Sequence, residues 1–170
     1  MAGKILTQRY AAPCGELLLG AFGDRLCLCS WLGGLHPGRT ERRVERMLDA
    51  SLEQGSSAVT EEAARQLAEY FDGERRSFDL PLLMPGTEFQ KRVWRGLAEI
   101  PYGRTLSYSE LAAACGSPGS VRAAANANGA NAISIIVPCH RVIAADGSLG
   151  GYAGGLAAKR FLLELERSAR

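Results

Sequence analysis

Cys139, His140 and Arg141 stand in a row inside the apolar, β-branched run from Ile135 to Ile143. A thiol beside an imidazole supplies the parts of a nucleophile and its base, because the thiolate is the attacking species. The run reads as a buried strand, where each polar group left without a partner would cost about 1–3 kcal/mol. Pro138 removes a ladder donor, so pairing should stop just before Cys139 and leave the thiol in a turn or pocket. Free cysteine is also a common core residue, and packing is the alternative role. In extended backbone, neighbouring side chains face opposite ways. Cys139 and His140 would therefore need a bend or a bridging water to cooperate.

Other candidate chemistry is weaker. Cys27 and Cys29 would share one strand face at a spacing tighter than the usual zinc chelate, and only His36 and His140 could add imidazole, so no metal is expected. The loop Gly150-Gly151-Tyr152-Ala153-Gly154-Gly155 lacks the preceding strand and the lysine of a phosphate-binding loop. No nucleotide cofactor is expected, and flexible backbone beside one aromatic ring suits close approach to a planar ligand.

The chain has 170 residues, 46% of them hydrophobic and 22% charged, enough for one compact domain or two small ones. It has no apolar run of about 18 residues, and its first residues lack a signal segment. Five cysteines without framework spacing fit a reducing compartment. A cytoplasmic protein with no membrane partner is expected. Residues 1–86 hold 10 Lys+Arg against 12 Asp+Glu, net −2, whereas residues 87–170 hold 10 against 6, net +4. The second half is the natural partner of a polyanion.

The elements that must position these groups follow from periodicity and punctuation. Residues 4–10, 16–22 and 25–32 read as strands, the last two joined at Gly23-Asp24. Residues 40–54 read as a helix with Val44, Met47, Leu48 and Leu52 on one face. Thr60 caps the next helix, with Leu67, Tyr70 and Phe71 inward. Pro81 to Gly86 divides the chain into residues 1–86, a small sheet with helices, and residues 87–170, mostly helical. Thr87 and Gln90 form a capping box for a helix carrying Phe89, Val93, Trp94, Leu97 and Ile100; Ser107 and Glu110 form a second, for a helix that Gly116 ends. Ser117-Pro118 opens a third helix running to Asn128. The last two make a helix-turn-helix. Residues 156–166 form a closing helix with Phe161, Leu162 and Leu165 inward.

The third helix is unusual in composition. From Pro118 to Asn128 its only charge is Arg122, set among Ala123, Ala124, Ala125 and Ala127. Small side chains allow close approach to a partner, and one long cation projects beyond them. That suits a narrow DNA groove with a guanidinium as probe or wedge; an alanine-rich packing helix with one solvated arginine is the alternative.

With these residues in view, the chain is similar to the O6-alkylguanine-DNA alkyltransferases of the bacterial Ogt type. The likeness rests on Pro138-Cys139-His140-Arg141-Val142, with Tyr108, Arg122, Asn131 and Tyr152-Ala153-Gly154-Gly155. It covers residues 87–170 nearly continuously. The resemblance implies an N-terminal α/β domain of ribonuclease-H-like type and a C-terminal helical, winged-helix-like DNA-binding domain. It implies that Cys139 takes the alkyl group from O6 of a damaged guanine in one irreversible step. His140 would be the base through a water, Glu166 would orient His140, and Asn131 would brace the turn before the cysteine. A lowered Cys139 pKa is expected from that arrangement. Tyr108 would help rotate the nucleotide out of the duplex, with Arg122 filling its place from the minor groove and Ser120 and Val121 beside it on the DNA. Main-chain groups at Cys139 and Val142 would read the guanine edge, Tyr152 would wall the pocket, and the Ala153 amide would donate to O6. The partner would be double-stranded DNA containing O6-alkylguanine, bound by a monomer with no cofactor. Ala132 stands where the family usually has proline, and Ala124-Ala125 where valine and glycine are common, which suggests a looser or repacked hinge. Two rival readings are a lesion sensor that flips the base without reacting and a hydrolase with a Cys/His dyad. The first would keep binding without transfer, and the second would be labelled without DNA.

Overall fold

The computed structural model describes residues 3–168. Strands β1 (Gly3–Ala12), β2 (Gly15–Phe22) and β3 (Arg25–Trp31) form an antiparallel meander, with Gly23 at a φ of 64° in the tight turn between β2 and β3. Helix α1 (Arg39–Leu48) leads to β4 (Ala50–Gln54), which pairs parallel to β1 and gives the order β3-β2-β1-β4. Helix α2 (Ala58–Phe71) packs on this sheet. Three antiparallel strands with a fourth parallel to the first fit the α/β expectation for this part of the chain.

The expected helix over 40–54 is corrected here: it stops at Leu48, Asp49 turns with a φ of 48°, and residues 50–54 become a strand. Val44, Leu48 and Leu52 satisfy a helical period, but Ala50 and Leu52 also alternate, and the open edge of β1 captures them as Gly3↔Ala50 and Ile5↔Leu52. Met47, read as inward, is exposed. The cap of α2 is Ser57 rather than Thr60. Thr60 is the reciprocal partner in that capping box and also donates to Gln8 Oε1 at 2.7 Å.

The free side of β3 is covered rather than left open, as an edge strand needs. Leu26 donates to Pro81 O and accepts from Leu83 N, both at 2.8 Å. Cys29 donates to Ala132 O and accepts from Ser134 N, both at 2.9 Å. The sheet edge therefore seats the loop that leads to Cys139.

The helical part consists of α3 (Glu88–Ala98), α4 (Tyr108–Ala114), α5 (Val121–Gly129) and α6 (Leu156–Ser168). Both expected capping boxes, Thr87/Gln90 and Ser107/Glu110, are formed. Trp94 of α3 is buried and donates from Nε1 to Ala127 O at 2.8 Å, tying α3 to α5. Helix α5 begins three residues later than Pro118, because Ser120 N bonds Ser117 O and Pro118-Gly119 form a turn. Phe161, read as inward, is 38% exposed and leans on Phe71 with ring centroids 6.3 Å apart. No described helix is long and apolar enough to cross a membrane.

The run 135–143 is buried but is not a strand. Tight turns bond Ile136 N to Ser134 O and Val137 N to Ile133 O, Ile135 takes a φ of 72°, and Cys139–Arg141 form one turn of 3-10 helix. Only β6 (Val142–Ile143) is extended, paired parallel with the short β5 (Leu106–Ser107). The apolar β-branched content marks burial, and the polar triplet takes the turn in which each member finds a different direction. Trp94→Phe, which removes the indole donor from the Ala127 carbonyl and leaves it the bond from Ala130 N at 3.1 Å, should cost about 1 kcal/mol in urea unfolding. An unchanged midpoint would show that this bond does not hold α3 to α5.

Candidate active site

The 3-10 turn supplies the bend that an extended backbone would have denied. Cys139 is 5% exposed and lies in the wall of a cavity of about 720 Å³, while His140 is fully buried behind it. Asn131, Ser134, Tyr108, Tyr152 and Ala153 line the same cavity, with Trp31 from β3. Val142 is buried outside the cavity lining, and its carbonyl accepts from Lys159 Nζ at 2.7 Å. Ser120, Val121 and Arg122 do not line the cavity either. They sit at the start of α5, where Val121, Arg122 and Ala123 are exposed and Ala124, Ala127 and Asn128 face inward. That leaves a helix face of small side chains with one projecting guanidinium.

Asn131 braces the approach to the thiol. Its amide donates to Val137 O at 2.8 Å, and its oxygen accepts from Ile133 N at 3.0 Å. Ala132, where a looser hinge was expected, is buried and pinned by the bond from Cys29.

Behind the thiol, Glu166 of α6 gathers four donor groups. His140 Nε2 lies 2.7 Å from Oε2, Tyr70 Oη donates to Oε2 at 2.6 Å, and Gly103 N donates to Oε1 at 3.2 Å. Arg141 donates from Nε to Oε1 at 2.9 Å and from Nη2 to Oε2 at 3.0 Å, and its Nη1 caps Ile100 O at 2.7 Å. Burial alone would raise the Glu166 pKa, but the bonds from His140 and Arg141 hold it well below the usual carboxylate range. Burial is the largest influence on His140 and pushes its pKa down; joined by the Arg141 and Lys159 charges, it outweighs the pull of Glu166. The imidazole is therefore neutral. Facing an ionised carboxylate, Nε2 carries the hydrogen and Nδ1 keeps its lone pair. Nδ1 is buried with no protein partner among the described residues, a polar position suited to one water.

Burial pushes the Cys139 thiol up; contacts from Asn131 and Ser134 and the Lys159 charge pull against it without reversing it. The lowered pKa expected from the sequence is corrected on this point. The resting thiol keeps its proton.

The glycine-rich loop is shaped by close approaches. A Cβ on Gly150 would come within 2.6 Å of the Tyr108 hydroxyl, and one on Gly154 within 2.7 Å of the Trp31 ring. Trp31 Nε1 donates to Tyr152 Oη at 3.2 Å, and the two rings pack edge to face at 5.9 Å. Leu35 N donates to Ala153 O at 3.2 Å. Sequence reasoning missed Trp31, Tyr70, Ser134 and Lys159. For Lys159, the one available signal was its place one turn from the inward Leu162 on an amphipathic helix. Among the described residues no three His, Cys, Asp or Glu side chains cluster to hold a metal.

A helix-turn-helix joined to a buried cysteine, with an imidazole and a carboxylate behind it, has the form of a DNA-binding protein with a buried thiol. The comparisons agree with that class. Residues 88–168 match the family model "6-O-methylguanine DNA methyltransferase, DNA binding domain". A methylated-DNA–protein-cysteine methyltransferase of Methanosarcina acetivorans is 45% identical over 159 residues, spanning 94% of this chain and 96% of the relative. One from Mycolicibacterium paratuberculosis is 52% identical over 128 residues, covering 72% and 78%. The crystal structure of Mycobacterium tuberculosis O6-methylguanine methyltransferase superposes with a TM-score of 0.83 at 42% identity, over 98% of this chain and 94% of that one. A structure of the same M. tuberculosis protein in complex with DNA gives 0.81 at 42% identity, over the same 98% and 94%. The chain belongs to the methylated-DNA–protein-cysteine methyltransferase family.

Because the folded-state pKa of Glu166 is depressed, its stabilisation is complete above the ordinary carboxylate value of about 4.3 and fades as pH falls through the folded value. Glu166→Gln should therefore flatten the acid side of a plot of Tm against pH, besides lowering stability by about 3–5 kcal/mol at neutral pH through the unpaired Arg141. An acid limb as steep as that of the wild type would overturn this account of Glu166.

Proposed function

We propose that this chain repairs O6-alkylguanine in double-stranded DNA by moving the alkyl group onto Cys139, one group per molecule and irreversibly. The observation that carries the reading is the placement of Cys139: in the wall of a cavity of about 720 Å³, with a neutral imidazole and an ionised carboxylate behind it. A purine inside a duplex cannot reach a thiol in such a wall, so the nucleotide must rotate out of the stack. Helix α5 approaches from the minor groove, its alanine face allowing close contact while Arg122 occupies the space the base leaves, with Ser120 and Val121 beside it. Tyr108 opens α4 at the cavity edge and crowds the target nucleotide during rotation. The protein acts as a monomer.

In the step itself, the thiol proton passes through a water to His140 Nδ1 while Glu166 holds Nε2. The sulfur then forms a bond to the alkyl carbon as the bond from that carbon to O6 breaks. The electron pair goes to O6, where the Ala153 amide is offered, and guanine regains a proton on its ring. Main-chain groups at Cys139 read the purine edge, and Tyr152 closes the pocket wall. Val142 is set to take part as well, although its carbonyl already serves Lys159. The thioether has no hydrolysable leaving group, so the protein is spent.

Mass spectrometry after reaction with methylated duplex should show one added methyl, on Cys139, and turnover beyond one methyl per protein would refute single use. Arg122→Ala should slow transfer from duplex DNA by about tenfold or more while leaving transfer from free O6-methylguanine nearly unchanged, since its part is in flipping. Equal losses on the two substrates would count against that part.

A further inference from the structure

Arg43 of α1 reaches across to the far end of the alanine-rich helix α5. Its side chain is half-buried, and its one hydrogen bond among the described residues runs from Nη2 to the Ala130 carbonyl. Ala130 caps the C-terminus of α5, where helix carbonyls lack intrahelical donors and a cation is favoured. Helix α5 has no basic residue in its own last turn, so α1 supplies the charge. Nη1 of Arg43 is buried without a partner among the described residues, which leaves Nη2 to hold the guanidinium. The bond falls at a hinge. Asn131, next in the chain, braces Val137 and Ile133, and Ala132 after it accepts from Cys29 N. Ala132 stands where the family usually has proline, whose ring would fix the backbone at that point. We propose that Arg43 is a positioning residue for alkyl transfer: it ties the end of α5 to α1 and so supplies, from a distant segment, the restraint that proline would give at position 132. The proposal rests on the reading of α5 as the helix that meets DNA and of Cys139 as the alkyl acceptor.

Three observations confine the role to the hinge. Trp94 holds α5 at Ala127 O, one turn earlier, and leaves the last residues before Asn131 to Arg43. Neither acid of α1 competes for the guanidinium, because Glu41 accepts from Ser30 Oγ and Glu45 accepts from Leu52 N. The Ala132 N–H has no acceptor among the described residues, and its φ is negative, so a proline there would cost no hydrogen bond. Ala132→Pro is therefore a local stiffener that acts on the same hinge without touching Arg43.

The test is a double-mutant cycle on the full chain. It is read as the single-turnover rate of methyl transfer from saturating O6-methylguanine duplex and, in parallel, from free O6-methylguanine. Arg43→Met keeps an apolar stem and removes the donors. It should slow transfer from duplex about tenfold and leave transfer from the free base nearly unchanged, because α5 is misplaced while the thiol is not. With Ala132→Pro already present, the same change should cost about twofold or less. Equal costs in the two backgrounds overturn the proposal, since a lost phosphate contact or a general loss of stability would act alike with either residue at 132. Unchanged duplex transfer in Arg43→Met alone overturns it as well. If Arg43→Met does not fold, the double variant decides: a folded double variant that takes the methyl group upholds the tether, and an unfolded one overturns it. Amide hydrogen exchange reads the hinge without any chemistry. In folded Arg43→Met the amides of Ala130 and Asn131 should exchange about tenfold faster than in the wild type, and unchanged exchange removes the tether. A wild type that takes no methyl from duplex, with exchange responding as described, would sink the repair reading instead.

Discussion

The structure depends on one buried carboxylate. Glu166 sits near the end of the last helix, yet its two oxygens receive His140 and Arg141 from the 3-10 turn, Tyr70 from α2 and Gly103 from the loop after α3. An isolated ionised carboxylate in the interior would cost several kcal/mol. Four donor groups from three separate segments offset that cost, and in doing so they fix where those segments stand. The same charge decides the tautomer of His140, because a neutral imidazole facing an anion must turn its N–H toward it. Fold and chemistry meet at this atom pair, since the acceptor that organises the core is also the one that leaves Nδ1 basic.

The thiol is treated differently. Among the described residues nothing anionic lies against Cys139, and its neighbours are hydroxyl, amide and aromatic groups with one cation beyond them. Burial therefore wins, and the resting thiol holds its proton. A permanently exposed thiolate would be open to oxidation and to stray electrophiles. A thiol that ionises only when a base takes its proton at the moment of reaction avoids that hazard, at the cost of needing the base. The separation of roles follows from geometry: the carboxylate is surrounded by donors, the sulfur largely by neutral groups, and the imidazole lies between them.

Much of this arrangement is visible in the sequence where local chemistry decides the outcome. The Thr87/Gln90 and Ser107/Glu110 boxes form because each partner is three residues away, and the β2–β3 turn forms at Gly23 because only a residue tolerant of positive φ serves there. Failures occur where a distant contact overrides local preference. Residues 50–54 carry a helical stripe but are claimed by the β1 edge, and residues 135–141 carry strand composition but are bent by bonds that include those from Cys29 and Asn131. The site contacts of Trp31, Tyr70 and Lys159 are not legible for the same reason, although Tyr70 is readable as an inward residue. Each meets the site across a long stretch of chain, and none has a neighbour in sequence that signals its task.

The glycine-rich loop shows why the site belongs to the whole chain rather than to the segment containing the cysteine. Gly150 and Gly154 are required because Tyr108 and Trp31 press against their backbones, leaving no room for a Cβ. Trp31 comes from the first sheet, and its indole N–H bonds to Tyr152, the residue that closes the pocket. The β3 edge likewise bonds to both sides of Ile133, on the approach to Cys139. A pocket wall that carries so little side-chain bulk has no stiffness of its own. Its rigidity is borrowed from the sheet behind it, so the N-terminal strands set the shape of the cavity in whose wall Cys139 lies.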